Sequence, residues 1–338
     1  MKRFRLLGLL LALLLVAAAC GGDDEGDGTT TTAGDAGTTT TAADNVDLDQ
    51  GSDLTFHMVT HSDDGTFWSV VKKGMEAACK DVGVNCVWSP SFNDPSKQVS
   101  DIEAAIAAGS DGIGVSLANP TAVAPAAKAA VDAGIPVVTL NSGVDDYQGI
   151  GAITHIGQTE TAAGNGAGLR FNALGATKVF CAQQEQGNVG LEERCEGATE
   201  TFNGEVVTQF VGPDTNPEEQ INTIAAALQA DPDINAVFGV GPIVAFRAVA
   251  ACQQAGRDCF IGGVDNSEDV TAAIESGDIN FTIDQQQYLQ GYLTIITLYL
   301  NQTNLNTVGG GFPVLTGPGF VDTDNVGEIK TLVEAGTR

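Results

Sequence analysis

The feature that most constrains the fold is a strand–helix–strand pattern that occurs twice along the chain. The first copy spans residues 111–142, with short apolar strands at 113–117 and 135–140. The helix between them begins at Asn119-Pro120, where proline suits the first turn because its missing N–H has no partner there. It ends at Ala133-Gly134, where glycine suits the left-handed residue that closes a helix. The pattern predicts two buried parallel strands joined by a helix.

The second copy occupies residues 234–267 and repeats these marks in the same order. Its helix begins at Gly241-Pro242 and ends at Ala255-Gly256, with the same spacing as in the first copy. A polar pair follows the last strand of each copy, Asn141-Ser142 in the first and Asp265-Asn266 in the second. Because open parallel sheets bind ligands at the carboxyl ends of their strands, two facing halves would bring these pairs to one cleft. A chance likeness between two ordinary strand–helix–strand units is the alternative.

Length and charge narrow the classes of function. A chain of 338 residues is long enough for two domains of ordinary size, and its 43% hydrophobic content supports real cores. The formal net charge of −28 argues against nucleic acid as a partner, since phosphate binding needs clustered lysine and arginine. Strands and helices alternate from about residue 53 onward, which predicts an α/β protein with parallel sheets.

The first 20 residues have the pattern of an export signal. Basic residues precede an apolar run at 6–19 that is short for a bilayer span. The run ends V-A-A-A-C, which is similar to a bacterial lipobox with Cys20 lipidated, although Ala17 stands where leucine is usual. We expect an exported protein, lipid-anchored to the outer face of the cell membrane or periplasmic, with plain secretion as the alternative. Residues 21–52, rich in glycine, threonine and aspartate, are predicted to form a flexible tether.

The six cysteines after Cys20 fall into three local pairs along the chain. By position they are Cys79–Cys86, Cys181–Cys195 and Cys252–Cys259. Export permits disulfides, and no cysteine or histidine set has the spacing of a zinc site, so three disulfides and no metal are expected. Reduced thiols remain the alternative, because such short loops gain little stability from cross-linking.

Five short sequence words stand out along the chain. In chain order they are A-G-I-P-V-V-T-L-N-S (133–142), H-I-G-Q-T-E-T-A-A-G (155–164), G-N-V-G-L-E-E-R-C-E-G (187–197), G-G-V-D-N-S (262–267) and I-D-Q-Q-Q-Y-L-Q-G-Y-L (283–293). Together they resemble the type I periplasmic sugar-binding proteins, the ribose- and galactose-binding group of ABC importers. The resemblance implies two doubly wound parallel-sheet lobes, joined by three hinge crossovers, that close on a small polar ligand. It places the N-terminal lobe at residues 53–157 plus 286–313 and the C-terminal lobe at 158–285 plus 314–338.

The same resemblance implies a function and a set of binding residues. The protein would act as a monomer without a cofactor, capturing a monosaccharide or polyol and delivering it to an ABC permease. A sugar offers hydroxyl groups and apolar C–H faces, so carboxylates, amides, guanidinium groups and aromatic rings suit it. The implied ligand-binding residues are Asp64, Phe67, Trp68, Ser116, Asn141, Arg194, Asp265 and Gln285. For Phe67 and Trp68, ordinary core packing is the alternative, and Glu185 and Asn188 are further candidates.

Two positions depart from the family pattern and bear on the ligand. Ser142 stands where ribose-type proteins carry arginine, which argues against ribose itself. Gly241 replaces a family asparagine, which removes a side-chain contact and would leave room for a larger ligand. The G-N-G-A-G run at 164–168 lies within a helical segment and predicts close helix packing.

Rival classes of function have less support in the sequence. An enzyme is not indicated, because the chain has no G-x-S-x-G elbow, no H-E-x-x-H, no Walker loop and no G-x-G-x-x-G that opens a helix after a strand. A LacI-type repressor would need an N-terminal helix-turn-helix where this chain has its export signal. A sensor that presents its ligand to a membrane chemoreceptor or signalling receptor remains open, since sequence does not separate import from sensing.

Overall fold

The structure, a computed structural model, describes residues 53–62 and 65–338. The predicted export signal, the lipidation site Cys20, the tether and the candidate ligand residue Asp64 lie outside the described residues. Strands and helices alternate through the described part, as an α/β protein requires. Within these two ranges, none of the helices combines the length and hydrophobicity that a membrane span requires.

The first lobe is a six-stranded sheet covered by helices. Its strands are β1 (Thr55–Thr60), β2 (Asn85–Pro90), β3 (Gly112–Val115), β4 (Val137–Asn141), β5 (His155–Gly157) and β11 (Val314–Leu315). Its helices are α1 (Thr66–Val82), α2 (Pro95–Ala107), α3 (Pro120–Asp132), α4 (Tyr147–Ile150) and α10 (Gln287–Asn304). The strand order is β11-β5-β4-β3-β1-β2, and every pair is parallel.

The second lobe repeats this plan. Its strands are β6 (Lys178–Gln183), β7 (Glu205–Phe210), β8 (Ala236–Gly239), β9 (Phe260–Val264), β10 (Phe281–Asp284) and β12 (Gly319–Asp322). Its helices are α5 (Glu160–Leu174), α6 (Val189–Thr201), α7 (Pro217–Ala230), α8 (Pro242–Ala255), α9 (Glu268–Ser276) and α11 (Val326–Glu334). The order is β12-β10-β9-β8-β6-β7, parallel except for the antiparallel pair of β10 and β12.

The two sheets correspond strand by strand, which confirms the repeat predicted from the sequence. β3–α3–β4 in the first lobe and β8–α8–β9 in the second occupy the same positions in their sheets. Both connecting helices begin with proline, and a left-handed glycine follows each helix, Gly134 with φ 84° and Gly256 with φ 66°. The predicted fold class, two α/β lobes with mostly parallel sheets, is therefore confirmed.

The chain passes between the lobes three times, after β5, after β10 and after β11. Two of these passages follow Gly157 and Asp284, near the predicted crossovers. Before the third passage, Val314 and Leu315 pair with Ile156 and Gly157 in the first sheet. The first lobe therefore extends two residues past the boundary predicted at 313. These two residues form a very short edge strand, whose pairing the sequence pattern does not indicate.

Glycines allow two pairs of helices to pack unusually closely, one pair in each lobe. A Cβ atom on Gly291 of α10 would lie 1.9 Å from the carbonyl oxygen of Val71 in α1. A Cβ atom on Gly164 of α5 would lie 2.2 Å from the carbonyl oxygen of Arg194 in α6. The close packing predicted for the 164–168 run is thus confirmed. Its consequence for function is that α5 and α6 bring their side chains within hydrogen-bond range of each other.

The three predicted cysteine pairs are disulfides in the structure. Cys79–Cys86 links α1 to β2, and Cys252–Cys259 links α8 to the residue before β9 in the second lobe. Cys181–Cys195 links β6 to α6. The last of these ties α6 to β6 at the residue next to Arg194.

Three short helices were not predicted from the sequence, namely α4, α9 and α11. They contain 4, 9 and 9 residues, so their apolar stripes are too brief to give a clear helical period. In α9 the start is nevertheless marked, since the Ser267 hydroxyl accepts a hydrogen bond from the backbone N–H of Val270.

Candidate functional site

A cavity of about 410 Å³ lies between the lobes, beyond the carboxyl ends of β4 and β9. Its position agrees with the general rule for ligands of open α/β sheets. Of the ligand residues predicted from the sequence, six line this main cavity: Phe67, Trp68, Asn141, Arg194, Asp265 and Gln285. The possible further contacts Glu185 and Asn188 line it as well.

Asn141 and Asp265 occupy equivalent places, at the end of β4 and directly after β9. Both have left-handed backbones, with φ 64° for Asn141 and φ 73° for Asp265. This conformation costs non-glycine residues roughly 1–3 kcal/mol, although asparagine and aspartate tolerate it better than most. Backbone strain at matching positions in both lobes, on residues that line one cavity, is typical of a binding site.

Gln285 connects these two residues at the second crossover between the lobes. Its Oε1 accepts a hydrogen bond from Asn141 Nδ2 at 3.4 Å, and its Nε2 donates to Asp265 Oδ1 at 2.6 Å. Gln285 itself is only 1% exposed. The first lobe, the crossover and the second lobe therefore share one hydrogen-bonded polar row along the cavity wall.

Burial raises the pKa of Asp265 to about 7. The positive charge of Arg194 and the hydrogen bond from Gln285 act in the opposite direction, and the negative charges of Glu160 and Asp284 add to the rise. Near neutral pH the carboxyl group thus exists in both its protonated and its ionised form. As an ionised group it would be a strong acceptor for hydroxyl groups in the cavity.

Arg194 is held by a buried carboxylate that the sequence did not indicate. Its Nε donates to Glu160 Oε2 at 2.6 Å and its Nη2 donates to Glu160 Oε1 at 3.0 Å. Its Nη1 donates to the carbonyl oxygen of Val240 at 2.7 Å. Glu160 is 1% exposed and also accepts from Gln158 Nε2 at 2.8 Å. Although desolvation lowers it, the pKa of Arg194 is raised overall because Glu160 lies so close.

His61 lines the main cavity, and the sequence did not single it out. Its ring packs edge-on against Trp68 at 5.0 Å between centroids, and Trp68 packs in the same way against Phe67. Burial, together with the charge of Arg194, lowers the pKa of His61 to about 3, so this histidine is neutral. The 3.7 Å approach of its Nε2 to Glu185 is therefore not an ion pair near neutral pH.

Ser116 has a different place from the one predicted. It is fully buried and does not line the main cavity. Its hydroxyl oxygen accepts a hydrogen bond from the backbone N–H of His61 at 2.8 Å and lies 2.8 Å from His61 Nδ1. Ser116 therefore orients His61, and it is His61 rather than Ser116 that lines the main cavity.

Gly241 lines the main cavity, and the side chain of Gln184 lies beside it. A Cβ atom at this position would lie 2.5 Å from Nε2 of Gln184, a residue that also lines the main cavity. The absence of a side chain at 241 is thus matched by the presence of Gln184. The two positions are far apart in sequence, so this exchange of volume is visible only in three dimensions.

A family model described as a periplasmic binding protein domain matches residues 56–303. The chain belongs to the periplasmic binding protein family. The resemblance to type I periplasmic sugar-binding proteins of ABC importers is thereby confirmed.

Several members of this family are similar over most of the chain. A carbohydrate transporter from Acidothermus cellulolyticus, solved in complex with myo-inositol, is 41% identical, with 84% of this chain and 99% of that chain covered and a TM-score of 0.82. The xylose/arabinose-binding protein XylF of Sulfolobus acidocaldarius is 27% identical, with 79% of this chain and 71% of the relative covered. The ribose import binding protein RbsB of Bacillus subtilis is 28% identical, with 67% and 74% covered.

One further part of this periplasmic binding protein's cavity was not anticipated. Phe92 and Asn93, in the turn after β2, both have left-handed backbones and both line the main cavity. The Phe92 ring is 62% exposed, so it forms part of the rim rather than of the core. Two consecutive strained residues with an exposed aromatic ring at a cavity rim are consistent with a binding role.

Proposed function

We propose that this protein is the extracytoplasmic solute-binding component of an ABC importer and that it captures a neutral cyclic polyol or monosaccharide in the main cavity. The observation that carries the proposal is the chemistry of the side chains that line the main cavity. Asn141, Gln285 and Asp265 supply hydrogen-bonding groups from both lobes and the crossover, while Trp68 supplies an aromatic wall. This combination suits a ring with hydroxyl groups at its edge and apolar C–H faces.

The charge balance supports a neutral ligand rather than an anionic one. Arg194 is already paired with Glu160 through two hydrogen bonds, so its charge is compensated within the protein. Asp265 and Glu185 add carboxyl groups to the same cavity. An anion entering here would meet no unpaired positive charge among the described lining residues, whereas neutral hydroxyl groups would find both donors and acceptors.

Among neutral ring polyols, myo-inositol is the first candidate, because the 41% identical relative was solved in complex with it. We expect myo-inositol to raise the melting temperature of the purified protein, since a ligand that binds only the folded state stabilises it by about 2.7 kcal/mol at 100 times its Kd. Differential scanning fluorimetry with a panel of neutral sugars and polyols, followed by calorimetry, measures the effect. D-Ribose should bind more weakly, because Ser142 stands where ribose-type proteins carry arginine.

Two matched variants test whether the ligand binds in the main cavity. Asn141→Ala removes a cavity amide, and Asn306→Ala removes an exposed amide far from the cavity. Only the first should weaken binding. A panel without any ligand that raises the melting temperature, or an unchanged affinity in Asn141→Ala, would contradict the proposed site.

An uptake experiment distinguishes import from sensing. If the protein serves import, deletion of its gene should abolish uptake of the labelled ligand. A protein that only presents ligand to a receptor would leave uptake intact.

We further propose that the protein is a monomeric lipoprotein, exported by its N-terminal signal and anchored through Cys20, with residues 21–52 as the tether. Replacing Cys20 with alanine should then move the protein from the membrane fraction to the soluble fraction and leave ligand affinity unchanged. Fractionation followed by immunoblotting measures the distribution. Retention of Cys20→Ala in the membrane would instead make the apolar run at 6–19 the anchor.

A further inference from the structure

Beside the main cavity lies a second space of about 250 Å³, here called the side chamber. The two spaces share six lining residues: His61, Asn93, Gln184, Glu185, Asn188 and Pro213. The two spaces are therefore adjacent, with these shared side chains at their junction. Away from this shared wall, the side chamber is lined by residues such as Asn119, Gln186 and Phe210.

The side chamber forms between the two lobes, as the main cavity does. Asn119 belongs to the start of α3 in the first lobe, whereas Phe210 ends β7 in the second. The lobes touch beside it, because the backbone N–H of Val189 donates to the carbonyl oxygen of Ala118 at 3.0 Å. A ligand that filled the side chamber would thus contact both lobes and favour their closed arrangement.

The lining of the side chamber has the chemistry of a sugar site. It contains the amide side chains of Asn93, Gln98, Asn119 and Gln184 together with the half-buried ring of Phe210. Amides can donate to and accept from hydroxyl groups, and an aromatic ring can cover the C–H face of a sugar. Glu185 also lines the chamber, which disfavours an anionic group such as a phosphate.

Gln184 provides an independent indication of a ligand at the junction. It is 7% exposed, and its Oε1 is buried without a hydrogen-bond partner among the described residues. Buried polar atoms in native proteins are nearly always paired, because an unpaired one forfeits its bonds to water without replacement. Gln184 lines both spaces, so a rotation of its side chain would turn this oxygen toward a ligand hydroxyl at the junction.

We propose that the side chamber is a second saccharide subsite and that the natural ligand is a neutral two-ring molecule. One ring, a cyclic polyol or monosaccharide, occupies the main cavity. One further uncharged sugar, joined to it by a glycosidic bond, occupies the side chamber against Phe210. The chamber is smaller than the main cavity, which favours a single added ring over a longer chain. This inference rests on the proposed function and extends it.

The test compares myo-inositol with an uncharged galactosyl-myo-inositol by calorimetry on the full protein. We expect the glycoside to bind at least about 10-fold more tightly, since it adds contacts in the side chamber. Phe210→Ala should remove most of that difference by removing the aromatic wall. Gln186→Trp should remove it by filling the chamber from an exposed position, where folding tolerates the change. Both variants should bind myo-inositol within about 3-fold of the wild type, because neither residue lines the main cavity.

Gln253→Trp, on the exposed face of α8 and outside both spaces, is the matched control and should behave as the wild type. Glycoside binding that is equal to or weaker than myo-inositol binding would overturn the subsite and leave the proposed function intact. An advantage of the glycoside that survives both Phe210→Ala and Gln186→Trp would overturn it as well. Failure of the wild type to bind either compound would count instead against the proposed function.

Discussion

Replacing Arg194 with alanine should destabilise the ligand-free protein by about 3–5 kcal/mol, because it leaves the carboxylate of Glu160 buried and unpaired. Glu160 is 1% exposed, and two of its hydrogen bonds come from Arg194. The carbonyl oxygen of Val240 loses its partner in the same variant. Urea unfolding of the ligand-free protein at pH 7 measures the effect. Ligand affinity should fall as well, since the cavity loses its guanidinium group.

Two further variants show whether the loss of stability in Arg194→Ala comes from the unpaired Glu160 carboxylate or from the loss of an arginine as such. Arg257 donates three hydrogen bonds, all to backbone carbonyl oxygens and none to a carboxylate, so Arg257→Ala should cost clearly less. The double variant Glu160→Gln with Arg194→Met removes both charges and should recover much of the lost stability. If Arg194→Ala is no less stable than Arg257→Ala, Glu160 and Arg194 do not form the pair described here.

Replacing Asp265 with asparagine should stabilise the ligand-free protein at neutral pH and weaken ligand binding. The raised pKa of Asp265 means that the native state holds this proton more tightly than the unfolded state does. The stability contributed by this group therefore falls as pH rises from about 4 to about 7. Removing the ionisable group should thus add up to about 4 kcal/mol at pH 7 and above, and nothing near pH 3.

Asparagine preserves what the fold requires at position 265. It tolerates the left-handed backbone, and its side-chain oxygen can still accept the hydrogen bond from Gln285. What it lacks is the ionised acceptor, so affinity for a hydroxylated ligand should fall about 10- to 100-fold. The two effects have opposite signs, and a merely structural role for Asp265 would not produce that combination.

Urea unfolding at pH 5, 7 and 8 and calorimetry at pH 7 measure the two effects. Asp258→Asn, at an exposed position outside the cavity, is the control for removing one negative charge from an acidic protein. It should change neither quantity appreciably. Equal stability of the wild type and Asp265→Asn across this pH range would mean that burial of the Asp265 carboxyl group does not lower the free energy of unfolding. An undiminished affinity would place the ligand elsewhere.

The lobes and the ends of their strands follow from patterns that are local in sequence. Apolar strands, Pro-initiated helices and Gly-terminated helices recur at the same spacing, so the repeat and the positions of Asn141 and Asp265 at strand ends were predictable. The three disulfides were predictable too, because each joins neighbouring elements. The close helix packing at residues 164–168 was also predictable, since small residues on a helix allow close approach to a neighbouring helix.

The partners of these residues were decided only by the tertiary structure. Glu160 and Arg194 lie on different helices, and their contact depends on how closely Gly164 lets α5 approach α6. Ser116 was expected to contact ligand, but the chain brings His61 over it. Gln184 fills the volume that Gly241 leaves, and it also meets the side chamber. Sequence periodicity records which face of an element is buried, whereas pairing and cavity shape depend on distances between elements that no local pattern encodes.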